Sequence, residues 1–348
     1  MSANSSAEEI FDLFDNAKCV VMSLHSSPDG DSLGACVAMK HYFKGKNLAV
    51  KVVSHDLLSE NLAESAFAEE VEFGPSIEQA IEEALATHKQ GHIVVLALDT
   101  ASLEMIGKRD SDRSLGDLKK SERVRVVNID HHLTNTFYGD LNYVDVEEPA
   151  CCGVLLSLLR ARGERISAEM ASALLLGICT DSGFFSYWPH AEKALKEGAF
   201  LLEMGAEYYD KIVRVVRNSI PLKLAKFNAL LINNLRVNEE KRFAYSTCAF
   251  EEVKTLGLND AEVRLGVNAL VGIKGFEFVF TLTEIARGKV KGSFRSQEKV
   301  DVSLFAKALG GGGHKTAAGF ILENASLEEA EKKVLEVIGE NYSHAREE

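Results

Sequence analysis

Short runs of aliphatic and β-branched residues alternate with longer amphipathic segments through the first half of the chain. Cys19–Leu24 (CVVMSL), Ala49–Ser54, His92–Leu98 and Val124–Ile129 are each bounded by polar or turn-forming residues, as expected of strands buried inside a sheet. Between them, residues 7–18, 32–45 and 76–88 repeat apolar positions at helical spacing. This alternation predicts an α/β fold built on a doubly wound, largely parallel sheet. Residues 108–122 are polar and read as a solvated connection. Residues 153–159 and 168–179 read as apolar helices, and 190–234 as helical with Lys and Arg on the polar face. Beyond residue 235 the pattern changes. Strand-like runs at 243–249, 276–284, 290–294 and 319–322 surround a helix near 260–271. Ser326-Leu-Glu-Glu329 is a capping box that opens a final helix. The expected organisation is therefore a first domain over 1–190, a helical connection over 191–235 and a smaller mixed α/β domain over 236–348.

Composition narrows the function. The chain has 348 residues, and its net charge of −13 (39 basic against 52 acidic residues) argues against gripping long duplex DNA, which draws on dense Lys/Arg contacts. A short anionic substrate held by metal ions and a few local cations remains open. No apolar run is long enough to span a bilayer, and the polar start MSANSSAEE lacks the features of a signal peptide. Six cysteines are scattered without a CxxC pair, which reads as free buried thiols. A cytoplasmic protein without membrane association is expected. A homodimer is compatible with these features, although nothing in the sequence specifies one.

The chemistry lies where strands end. Cys19–Leu24 runs into His25, Asp29 and Asp31, the strand at 92–98 into Asp99, and the strand at 124–129 into Asp130, His131 and His132. The second apolar helix delivers Asp181 at its carboxyl end. Ligands of a parallel sheet bind outside the carboxyl ends of its strands, so these groups can converge. Five carboxylates in one crevice would repel and desolvate each other without cations. Carboxylate and imidazole donors without thiolate suit Mn²⁺, with Mg²⁺, Co²⁺ or Zn²⁺ as substitutes. Two such ions ~3.5–4 Å apart would suit phosphoester hydrolysis. In the second domain, Gly310-Gly311-Gly312-Gly313-His314 can bring backbone N–H groups to an anion, and Arg295 between Ser293 and Ser296 can bind a phosphate in bidentate fashion.

HxxPDGDSLG at His25, LDT at Asp99, NIDHH at Asp130, TDSGFF at Asp181, SFRS and GGGGHKTAAGF together resemble the DHH/DHHA1 phosphoesterases, most closely their oligoribonuclease and PAP phosphatase branch. The resemblance covers about Cys19 to Leu322. It implies that His25, Asp29 and Asp99 hold one Mn²⁺, and that Asp31, Asp99, His131 and Asp181 hold a second, with Asp99 bridging. Asp130 would orient and polarise the histidines, and His132 would face the substrate phosphate. Arg295, Gly311, Gly312, Gly313 and His314 would bind the nucleotide's terminal phosphate. Cys151-Cys152 departs from the small hydroxyl residues expected there. The implied activity is release of 5′-mononucleotides from short oligoribonucleotides, with removal of the 3′-phosphate of pAp as a second reaction. The competing readings are a linear or cyclic dinucleotide phosphodiesterase and, in another class, a nucleotide-binding regulator without turnover.

Overall fold

The structure is a computed structural model that describes residues 4–106, 114–186, 191–297 and 299–346. It divides into two compact units, one ending at Ser219 and the other beginning at Ile220. Residues 107–113, within the expected polar connection, and 187–190 lie outside the described residues.

In the first unit, strands β1 (Ala17–Ser23), β2 (Ala49–Ser54), β3 (Glu72–Phe73), β4 (His92–Leu98), β5 (Val124–Asp130) and β6 (Leu141–Val144) form one sheet in the order β3-β2-β1-β4-β5-β6. Every pairing is parallel, so the expected α/β class with a doubly wound parallel sheet is what the chain adopts. Successive side chains of a strand point to opposite faces, and here both faces are covered. Val20 and Met22 enter a core with the helices Gly30–Gly45, Cys151–Ala161 and Ala168–Asp181, while Cys19 and Val21 enter another beside the helix Ile77–Thr87. That double burial is why these strands read as unbroken apolar runs. β3 and β6 were not expected. They are the two edge strands, only two and four residues long and partly exposed, so they carry little apolar signal.

The chain leaves β1 toward β2 and β3, then returns to place β4 on the other side of β1. Loops after β1 and β4 therefore part in opposite directions and leave a crevice at their carboxyl ends.

The helical stretch expected over 190–234 is three pieces. Ala191–Glu203 is followed by a wide π-type helix, Tyr208–Arg217, and then by Leu222–Asn233. Gly205, at φ +94°, and Pro221 mark the breaks. The boundary between the units falls just before Pro221, so the first two pieces belong to the first unit and the third to the second.

The second unit is built on strands β7 (Arg236–Asn238), β8 (Phe243–Cys248), β9 (Phe278–Ala286), β10 (Lys289–Ser296), β11 (Gly312–Gly313) and β12 (Ala317–Glu323), ordered β11-β12-β10-β9-β8-β7. Only the β8–β9 pairing is parallel. Phe243, Phe278, Phe280, Phe294 and Phe320 form an aromatic core with the helices Val302–Ala308 and Leu327–Ala345. The helix expected over 260–271 is α-helical only over Asp260–Leu265 and tightens to a 3₁₀ turn at Gly266–Ala269. Gly266 sits against Phe227: a Cβ there would lie 2.3 Å from the Phe227 ring.

Candidate metal centre

Each group of the sequence-level constellation reaches the crevice for a local reason. Asp29 is the N-cap of the Gly30–Gly45 helix, where its Oδ1 accepts from the N–H groups of Asp31 and Ser32, both at 3.1 Å. The turn before it puts Ser27 at φ +57°. His25 donates from Nδ1 to the Ser26 carbonyl at 2.9 Å, which leaves Nε2 to face Asp29 Oδ1 at 3.5 Å and Asp99 Oδ2 at 3.2 Å. Asp99 follows β4 at φ +57°, a left-handed conformation that costs a non-glycine residue roughly 1–2 kcal/mol. Strain of this kind persists where the surroundings over-determine it, as at functional sites.

On the other side of Asp99, His131 Nε2 lies 3.5 Å from Oδ1 and 3.4 Å from Asp181 Oδ2. His131 Nδ1 donates to the Glu148 carbonyl at 3.3 Å, so its ring too presents Nε2 to the crevice. Asp130 was expected to orient both histidines. Of the two rings it accepts only from His132, whose Nδ1 donates to Oδ1 at 2.8 Å, while the Glu148 carbonyl orients His131.

Three sets of donor atoms gather closely enough to share an ion: His25, Asp29 and Asp99; Asp31, His131 and Asp181; and Asp99, Asp130, His131 and His132. Asp99 thus joins the first set to His131 through its two oxygens.

A cation fits this donor set on independent grounds. Among the described residues, Asp99 Oδ1 and His131 Nε2 are buried without a well-formed hydrogen bond, facing each other at 3.5 Å, a condition that native proteins rarely tolerate without a ligand. Burial and the neighbouring Asp99 push the Asp31 carboxyl up to about 7, and burial with Asp31, Asp29 and Asp99 raises Asp181 well above the ordinary range. Burial alone would lower the imidazoles. The carboxylates around them win instead, lifting His131 to about 10 and His25 well above its usual value. Protons are thus held where positive ions would otherwise sit.

Asp31 shows what the sequence could not. It is fully buried, and its two oxygens accept from the backbone N–H groups of Cys151 (2.6 Å) and Cys152 (3.0 Å). The Cys151–Ala161 helix begins after Ala150, which has no side chain able to cap it. Its first N–H groups and the positive end of its dipole are satisfied by Asp31, 120 residues earlier. The Cys151 thiol turns instead to the Ile129 carbonyl at 3.2 Å, while the Cys152 thiol adds a contact to the Asp31 backbone carbonyl at 3.7 Å. An uncapped helix start before an apolar run was the available signal. Asp31 also meets the Ala168–Asp181 helix through small residues. A Cβ on Gly30 would lie 2.4 Å from Thr180, on Gly34 2.4 Å from the Ala173 carbonyl, and on Gly177 2.3 Å from Asp31 Oδ1. That glycine-lined approach brings Asp31 and Asp181 to one place.

Asn135 is a further residue that motif reading passed over. Its side-chain amide lies 2.6 Å from Asp130 Oδ2 and 2.8 Å from Asn128 Oδ1. Burial alone would raise Asp130, but the hydrogen bonds from His132 and Asn135 outweigh it and hold the carboxyl below its ordinary value. The signal was an amide five residues past Asp130, on the same loop.

In the second unit, a cavity of about 560 Å³ is lined by Arg295 and by Gly310 to Gly313. Two of these glycines answer to packing: a Cβ on Gly311 would lie 2.1 Å from the Gly319 carbonyl, and one on Gly313 2.6 Å from that of Ala317. Gly310 and Gly312 have open space instead. His314 stands at the turn beyond, its N–H donating to the Ala317 carbonyl at 2.8 Å, and is not among the residues that line the cavity.

Among the described residues, no helix is long and apolar enough to cross a membrane. Residues 19–178 match the DHH family N-terminal domain, and residues 241–342 match the DHHA1 domain. Relatives named bifunctional oligoribonuclease and PAP phosphatase NrnA occur in Thermus thermophilus and Mycoplasma genitalium. The first is 29% identical over 63% of this chain and 65% of its own length, the second 28% identical over 88% and 89%. A protein of Streptococcus mutans with the same name, marked probable, is 26% identical over 86% of this chain and 88% of its own. The crystal structure of an exopolyphosphatase-related protein from Bacteroides fragilis shares the fold, with a TM-score of 0.83 and 23% identity over 98% of this chain and 97% of that one. With both domains matched in order, the chain belongs to the metal-dependent DHH/DHHA1 phosphoesterases.

Proposed function

We propose that this phosphoesterase hydrolyses short oligoribonucleotides to 5′-mononucleotides and removes the 3′-phosphate of pAp, using two Mn²⁺ ions. The names of the full-length relatives support the substrates. The observation that carries the two-ion reading is Asp99, whose Oδ2 faces His25 and whose Oδ1, buried without a well-formed hydrogen bond, faces His131. His25, Asp29 and Asp99 would hold one ion, and Asp31, Asp99, His131 and Asp181 the other. Bound there, such ions supply Lewis-acid stabilisation of phosphoryl charge and acidify water.

The chain's own residues do the rest. The Ser26 and Glu148 carbonyls fix His25 and His131 with Nε2 inward. Asp130, steadied by Asn135, keeps a proton on His132 Nδ1. Burial works against protonation of His132, while Asp130 and Asp99 raise its pKa, and the partly exposed ring would present Nε2 to a substrate phosphate oxygen. Arg295 and the open glycine backbone would hold the terminal phosphate.

Product analysis with Mn²⁺ on pAp, pApA, an RNA pentanucleotide, cyclic-di-AMP and pyrophosphate tests this. Release of 5′-mononucleotides from the pentanucleotide, with AMP from pAp, is expected. Turnover of cyclic-di-AMP alone would replace the proposed substrate class, and binding without turnover of any would favour a regulator.

A further inference from the structure

The cavity of the second unit carries two cations that this reading does not use, Lys291 and Arg264. On β10, residues 291, 293 and 295 share one face, opposite Val290 and Phe294, which enter the aromatic core. Lys291 and Arg295 are four residues apart on an extended strand, about 13 Å between Cα atoms. Their charged ends are held apart as well. Arg295 Nη1 donates to the Phe294 carbonyl at 2.9 Å, whereas Lys291 Nζ lies 3.3 Å from the Asp260 carbonyl and 3.6 Å from its carboxylate. Arg264 is one helical turn beyond Asp260 and lines the cavity with Lys291. The Asp260 side chain is 72% exposed, so its pairing positions Lys291 while contributing at most about 1 kcal/mol. Among the described residues, no carboxylate lines the cavity, in a chain whose net charge is −13. Three cations in the lining, with the exposed Asp260 carboxylate beside one of them but outside it, make a local excess of positive charge suited to a polyanion.

We propose that Lys291 and Arg264 form a second phosphate subsite, which takes another phosphodiester of the strand whose terminal phosphate Arg295 holds. The two phosphates of a mononucleotide bisphosphate flank a single sugar and cannot reach charges held at both ends of that strand face, so the arrangement selects chains of several nucleotides over such a ligand. The inference rests on the substrate reading above and adds a length preference to it.

The test is equilibrium binding of a fluorescein-labelled pentanucleotide to the full chain, with turnover blocked by chelator and salt varied. Lys291→Ala and Arg264→Ala should each weaken the pentanucleotide several-fold and flatten the log–log salt dependence by about 0.7 for each phosphate left unneutralised. Competition by pAp should stay at its wild-type value in both, whereas Arg295→Ala should weaken both ligands. Lys291→Gln, which keeps the packed stem, should repeat the Lys291→Ala result if charge is the cause. An unchanged salt slope, or equal weakening of pAp, overturns the subsite. With Mn²⁺ restored, the ratio of kcat/KM for pentanucleotide over pAp should fall in both single variants. If the wild-type protein turns over neither substrate, the proposed activity fails, while the salt slope still decides the subsite.

Discussion

Gly177→Ala places one methyl group where the structure has no room for it. The added Cβ would lie 2.3 Å from Asp31 Oδ1, 2.4 Å from Cys152 Sγ and 3.0 Å from the Asp31 Cα. None of these can retreat cheaply. Asp31 is pinned by the N–H groups of Cys151 and Cys152, and Cys152 is fully buried. Either the two helices part or the carboxylate leaves its donors. Overpacking costs roughly 1–3 kcal/mol and a lost hydrogen bond to a charged group about 1.5–3, so a loss of roughly 2–3 kcal/mol is expected. For a unit of this size that lowers Tm by roughly 4–12 °C. Because Asp31 is also a proposed ligand, metal affinity should fall at least ~10-fold. Calorimetric melting with and without Mn²⁺, and titration of the metal-free protein, measure the two effects. Cys151→Ser is the control: it keeps both backbone donors, the replaced thiol bonds the Ile129 carbonyl rather than Asp31, and the variant should keep wild-type Mn²⁺ affinity. If Gly177→Ala binds Mn²⁺ like wild type and melts within a degree of it, the account of how Asp31 is placed is wrong.

Asp99→Ala should abolish Mn²⁺-dependent turnover while leaving the secondary structure intact by circular dichroism; retained activity would remove Asp99 from the bridging role. Asn135→Ala releases Asp130, and a 10–100-fold loss of activity is expected, with the acidic limb of the pH–rate profile moved upward; an unmoved profile would leave Asn135 merely structural. Addition of Mn²⁺ at about 100 times its Kd should stabilise the metal-free protein by about 2.7 kcal/mol, read as a rise in Tm that chelator reverses. Away from the centre, burial and Glu148 push Glu197 up to about 8. Its folded value lies above its unfolded one, so the stabilisation is complete below about 4.5 and is lost as pH rises through 8. Glu197→Gln should therefore flatten stability over that window and raise it at pH 7 by at most about 3 kcal/mol, and a pH–Tm curve unchanged by the substitution would contradict this.

The sequence alone carried the α/β class, the central strands and the order of the segments that supply the candidate metal ligands, because these are encoded locally. A strand covered on both faces is largely apolar, and metal ligands are drawn from few residue types, here Asp and His. Edge strands β3 and β6 escaped that logic, being short and half-exposed, and the 260–271 segment was read too long because its tightening at Gly266 answers to Phe227. Only the tertiary structure decided what holds Asp31: two backbone N–H groups, from a helix with no cap of its own, 120 residues away. The same holds for Gly30, Gly34 and Gly177, whose identity is dictated by a neighbouring helix. Backbone donors and close helix approach are blind to the local residue type that sequence reading depends on, so they become visible only when distant segments are packed together.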